Sequence, residues 1–357
     1  MQNRFSINEK RLRWLATFLT EKWRTRAFPY DQATRPQDTK IGASLRQKSE
    51  LEQSLFWFYT CLYMSGGIKS NDATVSLWNV REKNPEIFNP FFFSESKMEY
   101  PELVEYVEGA IGKKLPYYLL KRKRQWVENS LRIAKVFNGD PRKIFASGNY
   151  FVAESLMRND FNGGGFLGFQ EKMAGMLTYF LIQQGLIELD EYISAVDFHL
   201  LRVLISSGAI EVENPEVPFS YGQVYPVGKF ALWLGALDEK GVMSPEMMTD
   251  FADALWLLST ELCSASPINA RPDLRHVVKE RVAKNHERRG LEQLKQPTQL
   301  SLGLEDSFSR DEWLRRPKQR RRIEASCHRC PLKFQCRTGI PAQNYYQGSG
   351  MFVLLDM

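Results

Sequence analysis

Apolar residues recur every three to four positions along most of the chain, the period of an amphipathic helix. This pattern predicts helices at roughly 7–27, 46–68, 71–83, 101–112, 117–138, 147–158, 170–187, 197–208, 226–237, 244–263 and 271–290. Within 170–187, Met173, Met176, Leu177 and Phe180 fall on one face. Asn71 and Asp197 stand where N-caps belong, because a short side-chain oxygen there accepts from the first unbonded N–H groups of a helix. Few stretches alternate with period two, so the expected fold class is all-α. No internal repeat is visible.

The breaks in the pattern also carry information. The longest apolar run, near Leu55–Met64, is far shorter than the ~20 residues of a membrane helix. The opening MQNRFSINEKRLRW has no apolar signal core, so an intracellular, cytoplasmic protein that meets no membrane is expected. From about 288 to 326 the sequence is polar, charged and interrupted by proline, which reads as a long loop or disordered insert.

Composition narrows the class. The length of 357 residues suits about two domains. A chain 43% hydrophobic and 25% charged is neither collagen-like, nor a disulfide scaffold, nor wholly disordered. The net charge of +6 is mild but uneven. Between Arg271 and Arg337 there are 18 Lys/Arg against 9 Asp/Glu, a local net of +9, so the remainder is close to −3. Arg315 to Arg337 alone holds nine basic residues and one acidic residue, Glu324. Such density suits a phosphate backbone, where each neutralised phosphate releases counterions, and equally suits a solvated basic linker.

Three constellations carry candidate chemistry. In FNGGGFLGFQEKMAGM (161–176) glycines lead directly into a helix that opens with Glu171-Lys172. Glycine lets backbone N–H groups come close to an anion, and a helix N-terminus attracts one. Lys172, if neutral, is an amine nucleophile. A plain structural turn has the same appearance. In ISAVDFHLLRVL (193–204) an apolar approach ends at Asp197, and His199 and Arg202 follow on the next helix. A fixed carboxylate there can stabilise an oxocarbenium-like transition state, or simply cap the helix. Third, Cys327, Cys330 and Cys336 form C-x2-C-x5-C. An odd total of five cysteines in an intracellular chain argues against a disulfide framework, and this spacing is that of metal ligands. Cys263 is the candidate fourth thiolate, and Cys61, inside FWFYTCLYM, reads as a core thiol. By ligand type a [4Fe–4S] cluster or a zinc ion is possible.

In this order the three constellations resemble the helix-hairpin-helix DNA glycosylase superfamily, in its endonuclease III-like branch with an iron–sulfur cluster. The family hairpin has the form L-P-G-V-G-x-K-T-A, and FLGFQEKMA aligns with it without a gap, placing Gly168 on the first glycine, Lys172 on the catalytic lysine and Ala174 on the final alanine. The family's V-D-x-H and following Arg are matched by Val196, Asp197, His199 and Arg202. Its cluster motif C-x6-C-x2-C-x5-C is matched in its last three cysteines, and by position in Cys263. FWFYTCLYMSGGIKSNDATVSLW resembles the family's first barrel helices, and KRKRQWVENSLRIAKVF the helices before the hairpin. Three departures stand out. Gln170 replaces the second hairpin glycine, 25 residues separate Lys172 from Asp197, and 63 residues lie between Cys263 and Cys327 where the family has six.

The resemblance implies two helical domains with a C-terminal cluster loop. The expected division is 1–50 as N-terminal helices packing with the C-terminal domain, 51–190 as a helical barrel with the hairpin, and 191–345 as the cluster domain with a basic insert at about 264–326. It implies a monomer that flips a base of double-stranded DNA into a pocket between the domains. Lys172 then attacks the sugar and Asp197 stabilises the developing charge, which gives base excision and a Schiff-base lyase step. Gly165, Gly168, Gln170, His199 and Arg202, with Arg315, Arg316, Lys318, Arg320, Arg321 and Arg322, are the expected DNA contacts. Cys263, Cys327, Cys330 and Cys336 are the expected ligands of a [4Fe–4S] cluster, with zinc as the alternative. Gln299-Leu300-Ser301-Leu302-Gly303-Leu304 resembles the Q-L-x-L-x-L peptide that binds the bacterial sliding clamp, and a segment folding back on its own core would look the same. Other readings remain. Glu95-Ser96-Lys97 supplies the E-x-K of a PD-(D/E)xK iron–sulfur nuclease, which needs a central sheet and magnesium. A glycosylase fold could also act on a free modified nucleoside, or bind DNA without catalysis.

Overall fold

In the computed structural model the described residues are 4–31, 33–64, 70–112, 119–159, 164–213, 219–260, 330–332, 343–345, 351–352 and 354–356. They run in the order β1 (Phe5–Ile7), α1 (Glu9–Arg24), α2 (Lys40–Leu45), α3 (Glu50–Met64), α4 (Ser70–Lys83), α5 (Pro90–Glu95) and α6 (Tyr100–Ile111). There follow α7 (Leu119–Phe137), α8 (Tyr150–Met157), α9 (Glu171–Gln183), α10 (Phe198–Ser206), β2 (Ile210–Val212) and β3 (Phe219–Ser220). The last elements are α11 (Tyr221–Gly235), α12 (Pro245–Leu258), β4 (Gln343–Tyr345), β5 (Met351–Phe352) and β6 (Leu354–Asp356). The protein is thus mostly helical, as its periodicity predicts, and its strands form only two-stranded antiparallel pairs among the described residues.

The helices divide into two compact units. One comprises Thr34–Ala195 with Met243–Pro245, and the other Met1–Ala33, Val196–Val242 and Glu246–Met357.

The spine of the continuous unit is α3. Every residue from Gln53 to Met64 is buried, as expected of a helix apolar on all sides. Its start is fixed by a reciprocal cap: Ser49 Oγ accepts from Glu52 N at 3.3 Å, and Glu52 Oε2 accepts from Ser49 N at 3.2 Å. This cap trims the helix expected at 46–68. Aromatic rings spread from α3 into its neighbours: Trp57 stacks on Phe180 of α9 at 4.2 Å, and Tyr59 on Trp126 of α7 at 4.3 Å. Cys61 is fully buried in this core, and burial pushes its thiol pKa well above the ordinary value.

In the other unit, β1 pairs antiparallel with β2, and α1 packs against α11. Asn8 caps α1 through Arg11 N at 3.1 Å, and Tyr30 donates to the Ala254 carbonyl at 2.9 Å. Trp23 and Arg24 both donate to Asp250 of α12.

Two sequence expectations change. Asn71 is not an N-cap, because α4 already includes Ser70, whose carbonyl accepts from the Thr74 hydroxyl at 2.9 Å. The helix expected at 226–237 begins five residues earlier, at Tyr221, and runs through Pro226. The helix expected at 271–290 and the insert at 264–326 lie outside the described residues.

Candidate functional site

The glycine-rich segment folds as a tight turn that feeds α9. Phe169 N donates to Phe166 O at 3.0 Å, and Gly168, in the third position, has φ +86°. That left-handed value is what the third position of a type II turn requires, and glycine takes it without strain. Gly165 is needed for another reason: a Cβ there would lie 2.1 Å from the Arg158 carbonyl oxygen. The turn is anchored to the end of α8, with Phe166 N donating to Met157 O at 2.9 Å and Asn159 N to Phe169 O at 3.1 Å.

Two phenylalanines pin this turn into the core. Phe166 and Phe169 are fully buried, and both rings lie 5.1 Å from Phe58 of α3, one edge-on and one stacked. From the side, α7 holds the tip. Asn129, buried to 1% exposure, accepts from Leu167 N at 2.8 Å and donates to Leu167 O at 2.9 Å. Gln125 lies beneath Gly168, its Oε1 3.1 Å from where a Cβ would stand. Sequence reasoning missed both residues. Their signal was two amide side chains four apart on an amphipathic helix, hence on one face.

Gln170 is the N-cap of α9, and the structure accommodates it. Its φ of −107° is open to any residue, so the backbone at this point does not demand the second glycine of the family motif. Its side chain makes no capping bond. Lys172 is the second residue of α9 and is half-buried in the first helical turn, where the helix dipole places partial positive charge. Its neighbour Glu171 pairs with Arg158 at 3.6 Å.

Asp197 is the N-cap of α10, as its sequence position predicts. Its Oδ1 accepts from His199 N at 2.8 Å and Leu200 N at 3.3 Å, and the residue is 8% exposed. His199 Nδ1 lies 3.1 Å from the buried Ser259 hydroxyl, in a π turn that follows α12, and its ring meets Trp256 edge-on. Arg202, one turn along α10, is half-buried. Lys172 belongs to the continuous unit, whereas Asp197, His199 and Arg202 belong to the other.

Of the expected cluster ligands, Cys330 is described and half-buried, beside the buried Leu332. Cys263, Cys327 and Cys336 lie outside the described residues, as do Arg315, Arg316, Lys318, Arg320, Arg321, Arg322 and the Gln299–Leu304 peptide. As a donor set, the four thiols suit a [4Fe–4S] cluster or a zinc ion. Glu95 and Lys97, the E-x-K pair, are exposed at the end of α5. No helix among the described residues is long and apolar enough to cross a membrane.

Comparison with known proteins finds no matching family model, no matching curated protein and no matching solved structure.

Proposed function

We propose that this protein is a DNA glycosylase with an associated lyase step, acting on a base flipped out of double-stranded DNA. The observation that carries the reading is the path of FLGFQEKMA: a buried, clamped turn through Gly168 that runs straight into α9 and sets Lys172 in its first turn. A nucleophile needs such fixed backing, because misplacement by a fraction of an ångström is costly in rate. The Asp197 carboxylate, held by two backbone N–H groups, is a fixed negative charge of the kind that stabilises a developing cation.

In this reading the Lys172 amine attacks C1′ of the flipped nucleotide as the glycosidic bond breaks, and the base departs with a proton. Asp197 stabilises the oxocarbenium-like charge that develops on the sugar. The nitrogen then loses its extra protons as the C1′–O4′ bond breaks, O4′ taking up a proton. The ring-opened Schiff base that forms acidifies the 2′ proton, whose removal expels the 3′ phosphate and cuts the strand. Cys263, Cys327, Cys330 and Cys336 would hold the cluster, which when bound ties the C-terminal segment in place. The basic run from Arg315 to Arg322 would contact phosphates without reading sequence. The Gln299–Leu304 peptide would tether the enzyme to a sliding clamp.

The test is incubation with a panel of lesion-bearing and modified duplexes in EDTA, with borohydride to trap the Schiff base. A covalent adduct that Lys172→Ala abolishes is expected. Asp197→Asn should slow excision while leaving DNA binding and the α10 cap intact, since an amide oxygen still accepts from His199 and Leu200. Cleavage that requires magnesium and survives Lys172→Ala would instead favour the nuclease reading.

A further inference from the structure

The face that α7 turns toward the hairpin ends on a cation. Gln125 underlies Gly168, Asn129 clamps Leu167, and Arg132 lies over the Phe166 ring with its guanidinium carbon 5.3 Å from the centroid. Positions 125, 129 and 132 share one side of the helix. Phe166 cannot swing away, being fully buried against Phe58 at 5.1 Å and Phe137 at 5.7 Å. The ring therefore backs the guanidinium and holds it beside the turn.

Arg132 lacks what such a group normally has. It is half-buried, its Nε is shielded from solvent with no acceptor, and no carboxylate pairs with it among the described residues. Burial pushes its pKa below the ordinary arginine value. A charge partly removed from water with no counter-ion is unfavourable, and an incoming anion relieves it. The flat fork of a guanidinium matches two oxygens of a phosphodiester better than it matches a monodentate ligand. Lys135, one turn further along α7, is exposed and adds positive charge on the same helix.

We infer that Arg132 binds a backbone phosphate of DNA beside the hairpin, as a contact separate from the basic run at 315–322. This rests on the reading of the protein as a DNA enzyme.

The test measures equilibrium binding of the full-length protein to an undamaged duplex of arbitrary sequence over a range of potassium chloride. Arg132→Gln should reduce the slope of log K against log salt by about 0.9 and weaken binding about tenfold. Arg132→Lys keeps the charge and the stem over Phe166, and should restore the parental slope. As a second measurement, the duplex should protect Arg132 in the parental protein from an arginine-specific dicarbonyl reagent, read by peptide mass. An unchanged slope in a folded Arg132→Gln variant, or equal modification with and without duplex, overturns the inference alone. A parental protein that binds no duplex overturns both this inference and the reading it rests on.

Discussion

The side chain of Asn129 pairs with the backbone of Leu167 as one amide with another, Oδ1 to N at 2.8 Å and Nδ2 to O at 2.9 Å. The turn before α9 is thereby joined to α7 across 38 residues of sequence. Removing one partner strands the other, which costs more than the net worth of the bond. Asn129→Ala should destabilise the protein by about 1–3 kcal/mol. Asn129→Asp keeps the acceptor for Leu167 N but sets a buried carboxylate oxygen against the Leu167 carbonyl, and should cost more at pH 7. Urea unfolding with an unchanged m-value is the measurement. An Asn129→Ala midpoint equal to the parental one would remove the clamp from the account of the turn.

Two glycines should respond to alanine with opposite sign. Gly168→Ala forces a Cβ into φ +86° and against the Gln125 amide, and should cost about 1–3 kcal/mol. Gly109, inside α6, has nothing within 4 Å of its added Cβ and no positive φ, so Gly109→Ala should stabilise by about 0.5–1 kcal/mol. The pair is measured in the same unfolding assay, where a shared sign would contradict the structure.

Cys61 should be chemically silent while the protein is folded. Burial pushes its pKa well above the ordinary value, so the native state keeps a proton that the unfolded chain releases above pH ~8.5. The unfolded state then binds fewer protons, and stability falls as pH rises past that point. Iodoacetamide at mildly alkaline pH should leave Cys61 unlabelled until denaturant is added. The loss of stability above pH ~9 should be smaller in Cys61→Ala. Rapid labelling of Cys61 in the native protein would place the thiol at the surface instead.

The cysteine set proposed to hold metal can be separated from Cys61 by substitution. Protein purified without oxygen should carry about four iron atoms per chain and be brown. Cys330→Ser should lose them and Cys61→Ser should keep them. Colourless protein with stoichiometric zinc would replace the cluster but retain the ligand set. Protein with neither metal would reject both.

The long amphipathic elements were legible because their periodicity runs over many turns. α3 announced itself by an apolar run without a polar face, and Asp197 by standing between an apolar approach and a helix. What the sequence concealed was either short or non-local. α2 and α5 have six residues each, too few for a period to emerge. β1 and β2 have three each, and their pairing shows only once the chain has folded. Gln125 and Asn129 mark one amide-bearing face of α7, but nothing local names a partner 38 residues away. The glycine-rich turn and the aspartate were therefore visible in the sequence, while the residues that brace the turn were not.

The pairing of β1 with β2 also sets an order of events during synthesis. Ile7 faces Ile210, and Asn8 bonds to Glu211 across 203 residues. A ribosome adding about 5–20 residues per second needs about 10–40 seconds to cover that interval. Meanwhile Thr34–Ala195, continuous in sequence, emerges almost as a whole unit. Throughout, Leu12, Leu15 and Leu19, which the finished fold shields completely, await an α11 that does not yet exist. Such early apolar exposure is what chaperones bind. The helix α1 leaves the ribosome before anything it packs on, and is among the last to be covered.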